Sequence, residues 1–192
     1  RGVNETIESV IWISDLRSFT RMSDEFAPPV MLGILNDHFE RVVGAIADHG
    51  GEVLKFMGDS VLAIFPVDPG LGPQPAVDAA IKAVRDATTR IEKGNAARRE
   101  KGLVEIGFGI ALHHGNVVYG NIGAPDRLDF TVIGPAVNQT ARIEALCRTL
   151  SRPVLVSQRI ADAAQSELVS LGFQALRGVR EPQEIFTLPE YA

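Results

Sequence analysis

Residues 49–65 read HGGEVLKFMGDSVLAIF, and the reading of this stretch decides the fold. Two short apolar runs, Glu52–Met57 and Ser60–Phe65, flank Gly58-Asp59, a pair typical of a tight hairpin turn. Glycine tolerates positive φ, and an aspartate there either bonds nearby backbone or points outward. Taken alone, this is equally well an ordinary hairpin whose Asp59 satisfies the turn. Lys55 changes the weighting. It stands four residues before Asp59 in an otherwise apolar strand, where a charge is costly to bury without a partner.

Working back from the hairpin, Gly50-Gly51 stops a long helix that opens at Pro28-Pro29 and runs to about His49. Met31, Ile34, Leu35, Phe39, Val42, Val43 and Ile46 form its apolar stripe, so it is a core helix. His38 and His49 read as surface or capping residues, because no second ligand sits at a helical offset from either. Before it, residues 8–14 (ESVIWIS) are β-branched and aromatic and read as a buried strand. Asp15 ends that strand, and Ser18 or Thr20 is placed to cap a short helix. A strand, an acid, a turn and a helix in that order set a carboxylate beside backbone N–H groups able to hold phosphate oxygens. Asp15 as a plain helix cap explains the same pattern equally well.

Working forward, residues 66–75 (PVDPGLGPQP) form a Pro/Gly loop. Ala76 to about Lys101 is a helix, Ala-rich on one side and charged on the other. Glu105–Leu112 and Asn116–Ile122 read as strands around His113-His114-Gly115, a second hairpin. Adjacent histidines point weakly to a metal, since strand neighbours face opposite ways. Phe130–Ile133 is a short strand, and Gly134-Pro135 leads into a helix from Ala136 to about Leu150, on which Asn138 and Arg142 share a face. A solvated polar stripe accounts for that pair too. Val154–Ser157, a helix from about Gln158 to Leu168, and strands near Phe173–Leu176 and Glu184–Leu188 follow. Helices mixed with hairpins point to an α+β sandwich with helices on one face.

The 192 residues are expected to form one domain, with residues 1–7 the end of an upstream linker. The chain opens on Arg1 rather than Met, which reads as a domain excised from something longer. A net charge of −5 argues against a nucleic-acid partner but allows a mononucleotide in a locally positive pocket. One cysteine, Cys147, excludes an internal disulfide and fits a reducing, cytoplasmic setting. No apolar run is long enough to span a bilayer, so no membrane contact is expected within this chain.

Asp15 and Asp59 each stand at a strand end beside a turn. Two such carboxylates can hold divalent metals for in-line attack at phosphorus, and Mg²⁺ suits the task because it takes few protein oxygens. Lys55, Thr131, Asn138 and Arg142 are the remaining polar candidates. Arginine is suited to charge on a phosphoryl transition state, while lysine and threonine together can read a base edge. The residues alone therefore reach a metal-dependent phosphoryl or nucleotidyl transfer site.

DLRSFT, GGEVLKFMGDSVLAIF, GIALHHGNVVYGNIG and FTVIGPAVNQTARIE, in this order and spacing, resemble the successive motifs of the class III nucleotide cyclase catalytic domain. The resemblance spans about Ser9 to Leu188. It implies a ferredoxin-like βαββαβ core with additions, and an adenylate cyclase converting ATP to cyclic AMP and pyrophosphate through attack of the ribose 3′-hydroxyl on the α-phosphorus. Asp15 and Asp59 match the two metal-binding aspartates, for two Mg²⁺ per site with Mn²⁺ as a substitute. Lys55 matches the adenine-recognising lysine and Thr131 its partner. Asn138 would orient the ribose, Arg142 would stabilise the transition state, and the backbone of Leu16, Ser18, Phe19 and Thr20 would cradle the triphosphate.

The same resemblance implies a head-to-tail homodimer in which one protomer supplies the metals while the other supplies Lys55, Thr131, Asn138 and Arg142. An upstream sensor domain is a further implied partner. Lys55 favours ATP, since guanylyl members typically carry Glu there. Thr131 in place of the more familiar Asp resembles a bacterial subgroup, many of whose members respond to bicarbonate. Pro135 stands where the family commonly has Asp. The late loop LRGVREP offers Arg177 or Arg180 for the terminal phosphates. A guanylyl or relaxed-specificity cyclase and a non-catalytic cyclase-like dimerisation domain are the alternatives. The second loses ground because all four motif residues are present, and the absence of a GG[DE]EF run sets a diguanylate cyclase aside.

Overall fold

Eight strands share one sheet, in the order β2-β3-β1-β4-β6-β8-β7 with β5 paired to β4 alone. The computed structural model describes residues 5–124 and 127–192. In chain order the elements are β1 (Glu5–Leu16), α1 (Phe19–Glu25), α2 (Pro28–Asp48), β2 (Glu52–Met57), β3 (Ser60–Pro66), α3 (Gln74–Glu100), β4 (Phe108–Ala124), β5 (Arg127–Ile133), α4 (Pro135–Thr149), β6 (Val154–Ser157), α5 (Gln158–Ala163), β7 (Val169–Gln174) and β8 (Gln183–Thr187), followed by a short 3₁₀ turn, Pro189–Tyr191. The first part, β1-α2-β2-β3-α3-β4, has sheet order β2-β3-β1-β4 with every neighbouring pair antiparallel, which is the ferredoxin-like arrangement. Only β4 and β6 run parallel among the described pairs.

β1 organises the sheet because both of its faces are buried. Val10 and Trp12 point to one face with Val61, Ala63 and Phe65 of β3, and α2, α3 and α5 cover them. Ile11 and Ile13 point to the other, where Ala136 and Val137 of α4 meet them. Ala111 and Leu155 lie on that second face under Ile143 and Cys147. Helices on one face was therefore the wrong expectation: α4 packs alone on the opposite side.

Four further expectations are corrected. Residues 5–7 are the first positions of β1 and not linker. The hairpin at His113-His114-Gly115 does not exist. β4 is continuous through it, since β1 pairs with it from Glu5↔Tyr119 to Leu16↔Phe108. Gly115 is not a turn glycine; a Cβ there would stand 2.8 Å from the Cβ of Ala136, so the missing side chain lets α4 close onto the sheet. His38 is completely buried, because it continues the stripe Ile34, His38, Val42 at four-residue spacing. The helix expected to reach Leu168 ends at Ala163.

The stretch at 49–65 folds as its composition dictates. His49 caps α2, and Gly50 at φ 80 lets the Gly50 and Gly51 amides bond back to Ala47 (3.1 Å) and Ile46 (2.9 Å), a Schellman closure. Gly58, at φ 62, is the first of two loop residues between the paired Met57 and Ser60, where tight hairpins take glycine. Asp59 is left at the tip.

Candidate active site

Register brings the two acids together. Ser14 of β1 pairs with Val61 of β3, so Asp15, one residue on, and Asp59, two residues back, emerge at the same end of the sheet. Both line a cavity of about 430 Å³ with Leu16, Ser18, Phe19, Thr20, Arg21 and Arg148. Burial raises the Asp15 carboxyl above the usual range; a hydrogen bond with Glu144 opposes this, and the Asp59 charge adds to the rise. Two hard oxygen donors that repel each other gain from a divalent cation between them. No group of three or more acidic, histidine or cysteine side chains able to hold a metal occurs among the described residues. Two carboxylates that leave the other positions to water and phosphate oxygens fit Mg²⁺.

The loop beside Asp15 is held tightly. Leu16 is buried in a small cluster with Met22, Met31, Ile34 and Ile106. Ser18 is the N-cap residue of α1 at φ 61, a left-handed conformation that is uncommon outside glycine, asparagine and aspartate, and its side chain makes no capping bond. The Arg17 amide donates to the Gly107 carbonyl at 2.9 Å, and its Nη2 donates to the carbonyls of Cys147 (2.9 Å) and Arg152. Arg17 thus ties the loop to the C-terminal end of α4.

The basic and amide candidates lie outside this cavity. Arg142 lines a second cavity of about 350 Å³ with Leu146, Thr149, Leu176 and Arg177. Its Nη2 lies 3.5 Å from where a Cβ on Gly178 would sit, and Gly178 holds φ 75. Arg180 does not border this cavity. Asn138 is exposed in the first turn of α4, for which Pro135 supplies a favourable first residue in place of the family's Asp. The Thr131 hydroxyl is buried on β5 with no hydrogen-bond partner among the described residues, a costly state for a protein that does not use it. Lys55 is half-buried next to a bulge in β2 and has no ion-pair partner among the described residues. None of Lys55, Thr131, Asn138 or Arg142 borders the Asp15–Asp59 cavity. Within one chain the acids and these four candidates therefore do not line a common cavity.

Two residues beside Asp15 were missed in the sequence. Glu144 lies two residues past Arg142, about 200° around the helix, and hydrogen-bonds Asp15. Burial first, then that bond and the Asp15 charge, push its carboxyl up to about 8, which favours the protonated form able to donate to the Asp15 carboxylate. Gly109 makes room for it; a Cβ there would stand 2.6 Å from Glu144 Oε1. Arg148 borders the cavity from the same side. The available signal was an acid and a base one turn apart, each one residue past the buried Ile143 and Cys147.

The family model described as the adenylate and guanylate cyclase catalytic domain matches residues 3–189. An adenylate cyclase of Anabaena cylindrica is 33% identical over 163 residues, covering 83% of this chain and 31% of that protein. The chain spans a third or less of the length of the first curated relatives it matches. A bacterial light-regulated adenylyl cyclase structure superposes with a TM-score of 0.85 at 27% identity, over 98% of this chain and 54% of that one. The guanylyl cyclase Cya2 superposes with a TM-score of 0.81 at 28% identity, over 95% and 92%.

Proposed function

The chain belongs to the class III adenylate and guanylate cyclase catalytic domain family, and from that premise we propose that it is an adenylate cyclase whose sites form between two copies. ATP is the substrate, and 3′,5′-cyclic AMP and pyrophosphate are the products. The observation that carries this reading is the split of the site: the acids line one cavity, and Arg142 with Arg177 lines another.

In a head-to-tail homodimer, the partner's Arg142 half-site closes over the Asp15–Asp59 cavity of the first copy, and the symmetric site forms likewise. Lys55 then meets the adenine N1 edge and exocyclic amine together with the Thr131 hydroxyl, which supplies both with the partner they lack among the described residues. Asn138 orients the ribose so that its 3′-hydroxyl faces the α-phosphorus, and Arg142 receives charge developing on the phosphoryl oxygens. The Leu16–Thr20 backbone holds the polyphosphate. Arg177, which shares the Arg142 cavity, is assigned to the terminal phosphates in preference to Arg180. Bound at Asp15 and Asp59, two Mg²⁺ or Mn²⁺ ions supply the charge that acidifies the 3′-hydroxyl and neutralises the phosphates.

Among the described residues no helix is long and apolar enough to cross a membrane. The reading places the domain on the cytoplasmic side, where ATP is available, under control of segments outside this chain. Its test is turnover of ATP and of GTP by the purified chain in Mg²⁺ and Mn²⁺. Cyclic AMP formation that is lost in Asp15→Asn is expected; cyclic GMP as the preferred product would reassign the substrate, and no cyclisation in any combination would reject catalysis. Stimulation by bicarbonate at fixed pH is the subsidiary expectation from Thr131, and equal rates in bicarbonate and chloride would remove it.

A further inference from the structure

Arg148 has no assignment in this reaction, and its surroundings give it one. It lies on α4 one turn beyond Glu144 and is solvent-exposed. Two cavities open on Asp15. One is lined with Arg17, Glu144, Cys147 and Thr149, and the other with Ser18, Thr20 and Asp59. Asp15 and Arg148 are the two residues common to both. The positive charge of Arg148 acts on both Asp15 and Glu144. An i,i+4 pairing with Glu144 would be the ordinary use of such an arginine. It does not form, because Glu144 is turned to Asp15 instead, and Arg148 has no ion-pair partner among the described residues.

Its backbone is nevertheless fixed. Arg17 grips the carbonyls of Cys147 and Arg152 on either side, and the Ser151 amide donates to the Arg148 carbonyl at 3.3 Å. The result is an uncommitted guanidinium on an anchored helix end, facing the loop beside Asp15. Two aspartates and a triphosphate carry more negative charge than two divalent cations neutralise, so a further cation on this side of the site has work to do. Arginine's planar fork is matched to phosphate oxygens.

We infer that Arg148 binds the polyphosphate of the substrate, and pyrophosphate after the reaction, from the same protomer that supplies Asp15 and Asp59. This rests on the nucleotide-cyclase reading and adds a binding residue from the acidic half-site to those expected from the partner. The guanidinium takes no part in bond making; it holds the departing phosphates while Arg142 acts at the α-phosphorus.

The test is calorimetric binding of inorganic pyrophosphate, with and without Mg²⁺, beside KM for ATP. Wild type is compared with Arg148→Ala, Arg148→Lys and Arg21→Ala, since Arg21 borders the same cavity but lies 3.8 Å from Glu25. Arg148→Ala is expected to weaken pyrophosphate and raise KM about tenfold, as loss of one charge-assisted contact does. Cyclic AMP affinity should hold, Arg148→Lys should recover part of the loss, and Arg21→Ala should change binding less than about twofold. Pyrophosphate binding equal in wild type and Arg148→Ala overturns the assignment while leaving the cyclase reading intact. A wild-type domain that binds neither pyrophosphate nor ATP overturns both.

Discussion

At the scale of single residues, Asp15 and Asp59 were legible because an acid at a strand end beside a turn is cheap to place and exposes its oxygens. Glu144 was not, because its role depends on the approach of α4 to β1, which no local pattern records. Its protonated carboxyl donates to Asp15, so Glu144→Gln, which keeps a neutral donor, is expected to leave metal-free thermal stability nearly unchanged. Glu144→Ala should cost about 1–3 kcal/mol in denaturant titrations, the range for losing a hydrogen bond to a charged group.

His38 was misjudged because its polar type outweighed its position in the stripe. Burial lowers both His38 and His113 to about 4, below the ordinary value near 6.5. Between those values the unfolded chain binds more protons than the folded one, so stability present above pH 6.5 is lost as pH falls towards 4. Each histidine can contribute on the order of 3 kcal/mol to that loss. Both ring nitrogens of His38 lack hydrogen-bond partners among the described residues. Urea midpoints measured from pH 7.5 to 4.5 should therefore fall with acid, and His38→Leu should flatten the slope.

Among the elements, strand and helix identity came largely from periodicity, and the misreadings came from turn chemistry. His113-His114-Gly115 has the composition of a turn, yet the twelve residues of β1 hold it in register, and the glycine serves the contact with α4 instead. The position of α4 on the opposite face was hidden because Ile11 and Ile13 are as apolar as Val10 and Trp12, so β1 shows no alternation. Gly115→Ala, whose Cβ would stand 2.8 Å from Ala136, is expected to cost about 1–3 kcal/mol through overpacking. It should also lower activity by displacing the helix that carries Asn138 and Arg142. Gly33→Ala is the contrast: it is exposed in α2 with nothing within 4 Å of a new Cβ. A gain of about 0.5–1 kcal/mol and unchanged turnover are expected there.

For the molecule as a whole, the four sequence motifs carried Asp15, Asp59, Lys55, Thr131, Asn138 and Arg142, and the division of these residues between two protomers came from the family resemblance and not from the residues themselves. That division arises because Asp15 and Asp59 sit at one end of the β1–β3 ladder while Arg142 turns towards the β7–β8 loop. Periodicity and local patterning carry no sign of that separation, which depends on how distant strands and α4 pack. The central claim, that catalysis needs a half-site from each of two copies, is tested most directly by mixing Asp59→Ala with Arg142→Ala after each is shown to be inactive alone. Half of the randomly exchanged dimers would be mixed and each would hold one intact site of two, so cyclic AMP production should return to about a quarter of the wild-type rate. A mixture that stays inactive, although native mass spectrometry shows the mixed dimers present, would contradict the claim.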